Sequence, residues 1–143
     1  MFDADFESGN LFCVYKIGEL EYDLILQNDI NTKGNTQWFY FRLTNPPKKQ
    51  NIKINIVNLR KSDSLFNYGM MPCIFSNEAN KKSNIGWIRK ATNIKYFKND
   101  HQIENSRRYY YTLSFTISTP YENDVIRIAQ CYPYTFSDLN LYL

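Results

Sequence analysis

The stretch Tyr109-Tyr110-Tyr111-Thr112-Leu113-Ser114-Phe115-Thr116-Ile117-Ser118 decides the fold. Its large residues at 109, 111, 113, 115 and 117 are interleaved with Tyr110, Thr112, Ser114, Thr116 and Ser118, the period of two that sends successive side chains to opposite faces of a strand. One face suits a core and the other suits water, so Tyr109 and Tyr111 are expected inside and Tyr110 outside. The same period runs through Ile52, Ile54 and Ile56 with Lys53 and Asn55, and through Phe39, Phe41 and Leu43 with Trp38, Tyr40 and Arg42. Both segments are rich in the β-branched and aromatic residues that fit a pleated surface. Shorter candidates are Leu11 to Ile17, Tyr22 to Leu26, Pro72 to Phe75, Ile85 to Arg89, Ile94 to Phe97 and Val125 to Cys131. The total is about nine strands. Between them lie turn residues: Gly18-Glu19, Asn28 to Gln37 around Gly34, Asn45-Pro46-Pro47, Ser76 to Asn84, and Thr119-Pro120. Many short strands joined by polar turns predict an all-β fold, an antiparallel β-sandwich.

Only the end departs from this pattern. Ser137 is a good helix N-cap, and Leu139 and Leu143 behind it stand four apart, as on one helix face. The expected division is a sandwich over residues 1–136 and the start of a helix over 137–143, with the sequence stopping inside that helix. A chain of 143 residues has room for one core. With 43% hydrophobic and 17% aromatic residues it is too apolar for disorder. Its purely apolar runs reach only about four residues, far short of a membrane span. Acids fill the start, Met1-Phe2-Asp3-Ala4-Asp5-Phe6-Glu7, where a secretory signal needs positive charge and then an apolar block. A cytoplasmic location is expected. The 17 Asn residues are ascribed to codon usage.

The chemistry the sequence can support is limited. A catalytic zinc takes three protein ligands, and His101 is the single histidine. Its place in Asn99-Asp100-His101-Gln102 reads as a solvated loop. Cys13, Cys73 and Cys131 are far apart and odd in number, which indicates neither a disulfide framework nor a zinc cluster; inside strands they are expected as small buried hydrophobes. No phosphate loop, dinucleotide fingerprint or nucleophile elbow is present. The charge is segregated: Arg42 to Arg108 holds 14 Lys and Arg against four acids, while the flanks hold three against ten. If the basic pairs gather at one rim they make a field that attracts an anionic polymer. Three readings of the charge compete, solubilising charge, a nucleic-acid surface and a surface for acidic protein tails, while Trp38 and Trp87 with twelve Tyr raise a carbohydrate-binding platform that is more often simple packing. Arg107-Arg108-Tyr109-Tyr110-Tyr111 has the basic and aromatic mixture of single-strand binders, but the alternation turns most of its tyrosines inward and disfavours nucleic acid.

Several segments together resemble the N-terminal domain of the cytosolic carboxypeptidases, the tubulin-deglutamylase branch of the zinc metallocarboxypeptidases. They are Phe6-Glu7-Ser8-Gly9-Asn10-Leu11, Gln37-Trp38-Phe39-Tyr40-Phe41-Arg42, Asn55 to Lys61 leading into Ser64-Leu65-Phe66-Asn67-Tyr68-Gly69-Met70, Gly86-Trp87-Ile88-Arg89, and Cys131-Tyr132-Pro133-Tyr134-Thr135-Phe136-Ser137-Asp138-Leu139. The resemblance implies an antiparallel β-sandwich that precedes a zinc carboxypeptidase domain and packs against it. The family's zinc motif, His-x-x-Glu with a later His, has no match here, so no catalytic or metal-binding residue carries over; zinc would belong to the absent domain. Expected partners are that domain of the same polypeptide and acidic protein tails such as polyglutamylated tubulin. Tyr132, Pro133, Tyr134, Phe136 and Leu139 are the expected docking residues. Lys81, Lys82, Arg89, Lys90, Arg107 and Arg108 are the expected contacts for acidic substrate. The sequence departs from the family at Met71-Pro72 and at Ala91.

Overall fold

A computed structural model describes residues 1–28 and 37–142. The turn read around Gly34 and the Leu143 end of the Leu139–Leu143 pair lie outside the described residues. Ten strands are present: β1 (Phe2–Asp3), β2 (Leu11–Gly18), β3 (Glu21–Leu26), β4 (Tyr40–Thr44), β5 (Gln50–Leu59), β6 (Cys73–Ser76), β7 (Ile88–Arg89), β8 (Thr92–Gln102), β9 (Tyr109–Thr119) and β10 (Val125–Ala129). Two seven-residue helices accompany them, α1 (Asn77–Ser83) and α2 (Phe136–Tyr142), with a 3-10 turn over Leu65–Tyr68.

The strands form two five-stranded sheets, ordered β1-β4-β10-β6-β7 and β2-β3-β5-β9-β8. In the second sheet the long strands β5 and β9 set the register, with Ile54 opposite Phe115 and Ile56 opposite Leu113. Those four side chains are fully buried, and their neighbours Lys53, Asn55, Ser114 and Thr116 take the outer face. Phe39, Phe41, Leu43, Ile126 and Ile128 answer from the first sheet. Phe39 and Phe115 meet across the gap, ring centroids 6.4 Å apart and nearly parallel. Two sheets thus bury their inner faces against each other, as the alternation predicts.

The nine expected strands are all present, and the differences have physical causes. The added strand, β1, is a two-residue arm on β4, held where Arg42 reaches both carboxylate oxygens of Asp3 at 2.6 and 3.1 Å. Residues 76–84, read as a polar turn, fold into α1 because Ser76 caps it and Asn84 ends it in left-handed backbone. With only Ala79 buried, α1 carries no apolar stripe to announce it. One strand pair, β3 with β5, is parallel. The chain leaves for β4 in the other sheet between those strands, and alternation does not encode that crossover. Tyr109 is exposed rather than internal, since it begins β9 beyond the last core layer. Cys13 and Cys131 are half-buried and only Cys73 is fully buried. The asparagines do more than reflect codon usage: Asn45, Asn84, Asn93, Asn105 and Asn123 each take a positive φ, a conformation their short polar side chains tolerate.

Candidate domain-docking face and cationic surface

The outer face of the first sheet is aromatic where a solvated face would be polar. Tyr40 points outward from β4 yet is only 7% exposed, because Phe6 meets it edge-on at 4.7 Å and Trp38 and Trp87 close around it at 6.0 and 5.9 Å. Burial pushes the Tyr40 hydroxyl above its usual range. The N-terminal arm that delivers Phe6 is fixed by backbone chemistry. Asn10 joins three segments: its carboxamide donates to Trp38 O (2.6 Å) and accepts from Tyr40 N–H (2.9 Å), and its carbonyl accepts from Gln27 N–H. Gly9 beside it is sterically required, since a Cβ there would stand 2.5 Å from the Ala4 carbonyl oxygen.

Against this layer the chain leaves β10. Arg89 Nη1 donates to the carbonyls of Met71 (2.6 Å) and Gln130 (3.2 Å), and its guanidinium lies 5.7 Å from the Tyr132 ring centre. Arg89, expected to meet substrate, thus holds the turn that presents Tyr132. Helix α2 follows, and its N-cap is Thr135 rather than Ser137. Thr135 and Asp138 form a reciprocal capping box, Asp138 N–H to Thr135 Oγ1 at 3.2 Å and Thr135 N–H to Asp138 Oδ2 at 2.8 Å. Hydrogen bonds from Thr135 hold the Asp138 carboxyl below its usual range. The Ser137 N–H donates to Glu7 Oε1, and hydrogen bonding from Ser137 likewise lowers the Glu7 carboxyl. This helix end is therefore ordered by polar contacts, while its apolar groups face outward: Tyr134 is 64% exposed, Phe136 70% and Leu141 87%. Tyr132 and Leu139 are exposed and Pro133 is half-buried. Tyr132, Pro133 and Tyr134 share an open groove of about 600 Å³ with Trp38, Gln27 and Gly9. The structure thus brings the five expected docking residues onto one segment. Leu141 and Trp38 were not among them: Leu141 follows Leu139 on α2, and Trp38 belongs to the separate segment Gln37 to Arg42.

The basic residues do not share a rim. Lys81 and Lys82 end α1, and both pair with Glu78, at 3.4 and 3.8 Å. Lys82 also lies over the Tyr121 ring, just past the end of β9. Arg107 and Arg108 precede the start of that strand, exposed in the β8–β9 turn. Eleven residues of β9 separate the two pairs, roughly 35 Å at the usual rise. Lys90 lines an apolar cleft of about 200 Å³ that also takes in Ala79 of α1 and Tyr121, which sets it at the Lys82 end and away from Arg107 and Arg108. Among the described residues no three His, Cys, Asp or Glu side chains are grouped as a metal would need. His101 and Asp100, 3.7 Å apart, are both solvent-exposed. The described residues do not fit a zinc centre. Among the described residues no helix is long and apolar enough to cross a membrane.

Comparison with known proteins places the sandwich in a family. Residues 2–130 match the family described as the cytosolic carboxypeptidase N-terminal domain. The chain is 41% identical over 138 residues to cytosolic carboxypeptidase 2 of Xenopus tropicalis, covering 96% of the chain and 14% of that protein. It is 41% identical over 143 residues to cytosolic carboxypeptidase 3 of Mus musculus, covering 100% of the chain and 14% of the relative. For cytosolic carboxypeptidase 1 of Mus musculus the identity is 40% over 148 residues, covering 99% and 12%. The chain therefore spans only about one seventh of the length of these relatives. Among solved structures, a putative carboxypeptidase A from Shewanella denitrificans shares the fold with a TM-score of 0.65 at 18% identity, covering 98% of this chain and 31% of that one. A metallo-carboxypeptidase from Pseudomonas aeruginosa, in complex with (2-guanidinoethylmercapto)succinic acid, aligns at TM-score 0.61 and 17% identity, covering 99% and 32%.

Proposed function

Because this chain belongs to the cytosolic carboxypeptidase N-terminal domain family, we propose that it is the non-catalytic β-sandwich of a cytoplasmic zinc metallocarboxypeptidase that removes glutamates from tubulin or other acidic proteins. Residues 1–136 form the sandwich in this reading, and 137–143 lead into the catalytic domain, which carries the zinc. The observation that supports it is the row Tyr132, Tyr134, Phe136, Leu139 and Leu141, capped and tied in place by Thr135, Asp138 and Glu7 yet exposed. An ordered apolar row that leads into a short helix and continues along it is suited to burial against a following domain.

Replacing Tyr134 and Phe136 by Ser tests this role. In the 143-residue chain alone the change should stay within about 0.5 kcal/mol, as for other surface sites. In the full-length enzyme each lost aromatic should cost about 1–2 kcal/mol of stability, a fraction of what full burial supplies. Equal losses in both contexts would make them ordinary parts of the sandwich.

The same reading gives the basic residues a role in placing acidic substrate. Lys81-Lys82 and Arg107-Arg108 are too far apart to grip one short tail together, so their contribution is a field that speeds encounter. Reversing either pair to Glu should raise KM for polyglutamate more than it lowers kcat, and the effect should fade with salt as the Debye length shrinks to about 10 Å at 0.1 M. An unchanged KM at low salt would leave these charges a solubilising role only.

A further inference from the structure

A second groove lies on the outer face of the second sheet, at the end where β8 turns into β9. It encloses about 950 Å³ and is lined by Phe12, Ile25, Val57, Gln102 and Tyr110 among others. Phe12 sits where the β2–β3 register shifts and is 69% exposed. Tyr110, the outward residue of the tyrosine run, forms one wall. The guanidinium of Arg60 lies 5.6 Å from its ring centre. Arg60 Nε is buried with no hydrogen-bond partner among the described residues. Gln102 Nε2 donates to Ser106 O, which ties the turn bearing Arg107 and Arg108 to the groove wall. Among the described residues no carboxylate comes within 4.0 Å of Arg60, Arg107 or Arg108, in contrast to Lys81 and Lys82. Asp100 and Glu104 are the acids of this turn region, and Asp100 stands beside His101.

A groove with Phe12, Ile25 and Val57 in its lining, beside arginines that have no ion-pair partner among the described residues, complements a ligand that carries negative charge beside an apolar side chain. We propose that this groove binds an acidic protein segment through one aromatic or aliphatic anchor residue, with Phe12, Ile25 and Val57 taking the anchor and Arg60, Arg107 and Arg108 taking the carboxylates. The site goes beyond the substrate role proposed above, because a pure polyglutamate tail has no anchor to offer. Nucleic acid suits it less: the Tyr110 ring is already covered by Arg60, and Ile25 and Val57 offer no ring for a base to stack on.

The test is fluorescence anisotropy with two labelled peptides of equal length, each ending in a C-terminal amide that denies a carboxypeptidase its free carboxylate, one all Glu and one with a central Phe among Glu, titrated with the 143-residue chain and with the full-length polypeptide. The Phe peptide should bind at least tenfold more tightly than the all-Glu peptide to both proteins. Arg107→Glu with Arg108→Glu should weaken both peptides. Phe12→Ser should remove only the advantage of the Phe peptide; should that change disturb β2, the near-isosteric Val57→Thr reads the same effect. Absence of binding, equal binding of the two peptides, or tighter binding of a single-stranded oligonucleotide would overturn the proposal. So would binding confined to the 143-residue chain, which would mean that the rest of the polypeptide covers the groove. These are binding readouts, so their failure is separate from any failure of the docking or catalytic reading.

Discussion

Phe39, Phe66 and Phe115 lie against one another between the sheets, their ring centroids 6.2 to 6.4 Å apart where they touch Phe39. Tyr132, Tyr134 and Phe136 form an equally aromatic row that projects outward. The difference lies in what fixes each set. The interior rings are held by the alternation of two sheets that close on each other. The outward row is held by polar devices, the Arg89 clamp on Gln130 and the Thr135–Asp138 box, which set backbone direction without burying anything. Burial of one set stabilises the sandwich itself, while the other set gains only from something outside it.

The comparison breaks most visibly at Phe115. Phe115→Ala removes a fully buried ring and should cost about 3–5 kcal/mol, a large share of the roughly 5–15 kcal/mol that holds a domain folded. Urea unfolding should show this loss in the 143-residue chain and in full-length protein alike. A loss below about 1 kcal/mol would mean that the sheets are not packed through this ring.

A smaller effect separates the two regions by pH. Asp138 and Glu7 have their carboxyls held below the usual values of 3.8 and 4.5 by hydrogen bonds at the start of α2. A depressed folded value means stability present above the ordinary value and lost as pH falls through the folded one. The α2 segment should therefore loosen below about pH 4 before β9 does, since β9 carries no carboxyl, while β1 and β3 hold Asp3 and Glu21 low in the same way and share part of the acid sensitivity. Amide chemical shifts of Leu139 and Leu113 followed from pH 6 to pH 2.5 would check this. Simultaneous change at both would join α2 to the core.

The interior was legible in the sequence because a sandwich writes its burial into every second residue, as in Leu113, Phe115 and Ile117. Strand direction was not: Tyr22 and Ile54 alternate alike whether β3 and β5 run parallel or antiparallel. Helix α1 was hidden because its length and polarity match those of a turn. At the candidate site the aromatic run from Tyr132 to Leu139 was readable as a unit, but its cap at Thr135 was not, since Ser137 offers the same chemistry two residues later. Whether basic pairs converge was also beyond the sequence. Lys81, Lys82, Arg107 and Arg108 fall within 28 positions of one another in the chain, and only the course of β9 sets them at opposite ends.

Hydrogen exchange at Cys131 to Tyr142 tests the central claim, that this segment is a docking face for a following catalytic domain. Peptides covering it should exchange quickly in the 143-residue chain and be protected at least tenfold in the full-length polypeptide, while β5 and β9 exchange slowly and equally in both. Equal, rapid exchange of the segment in both proteins would contradict the account.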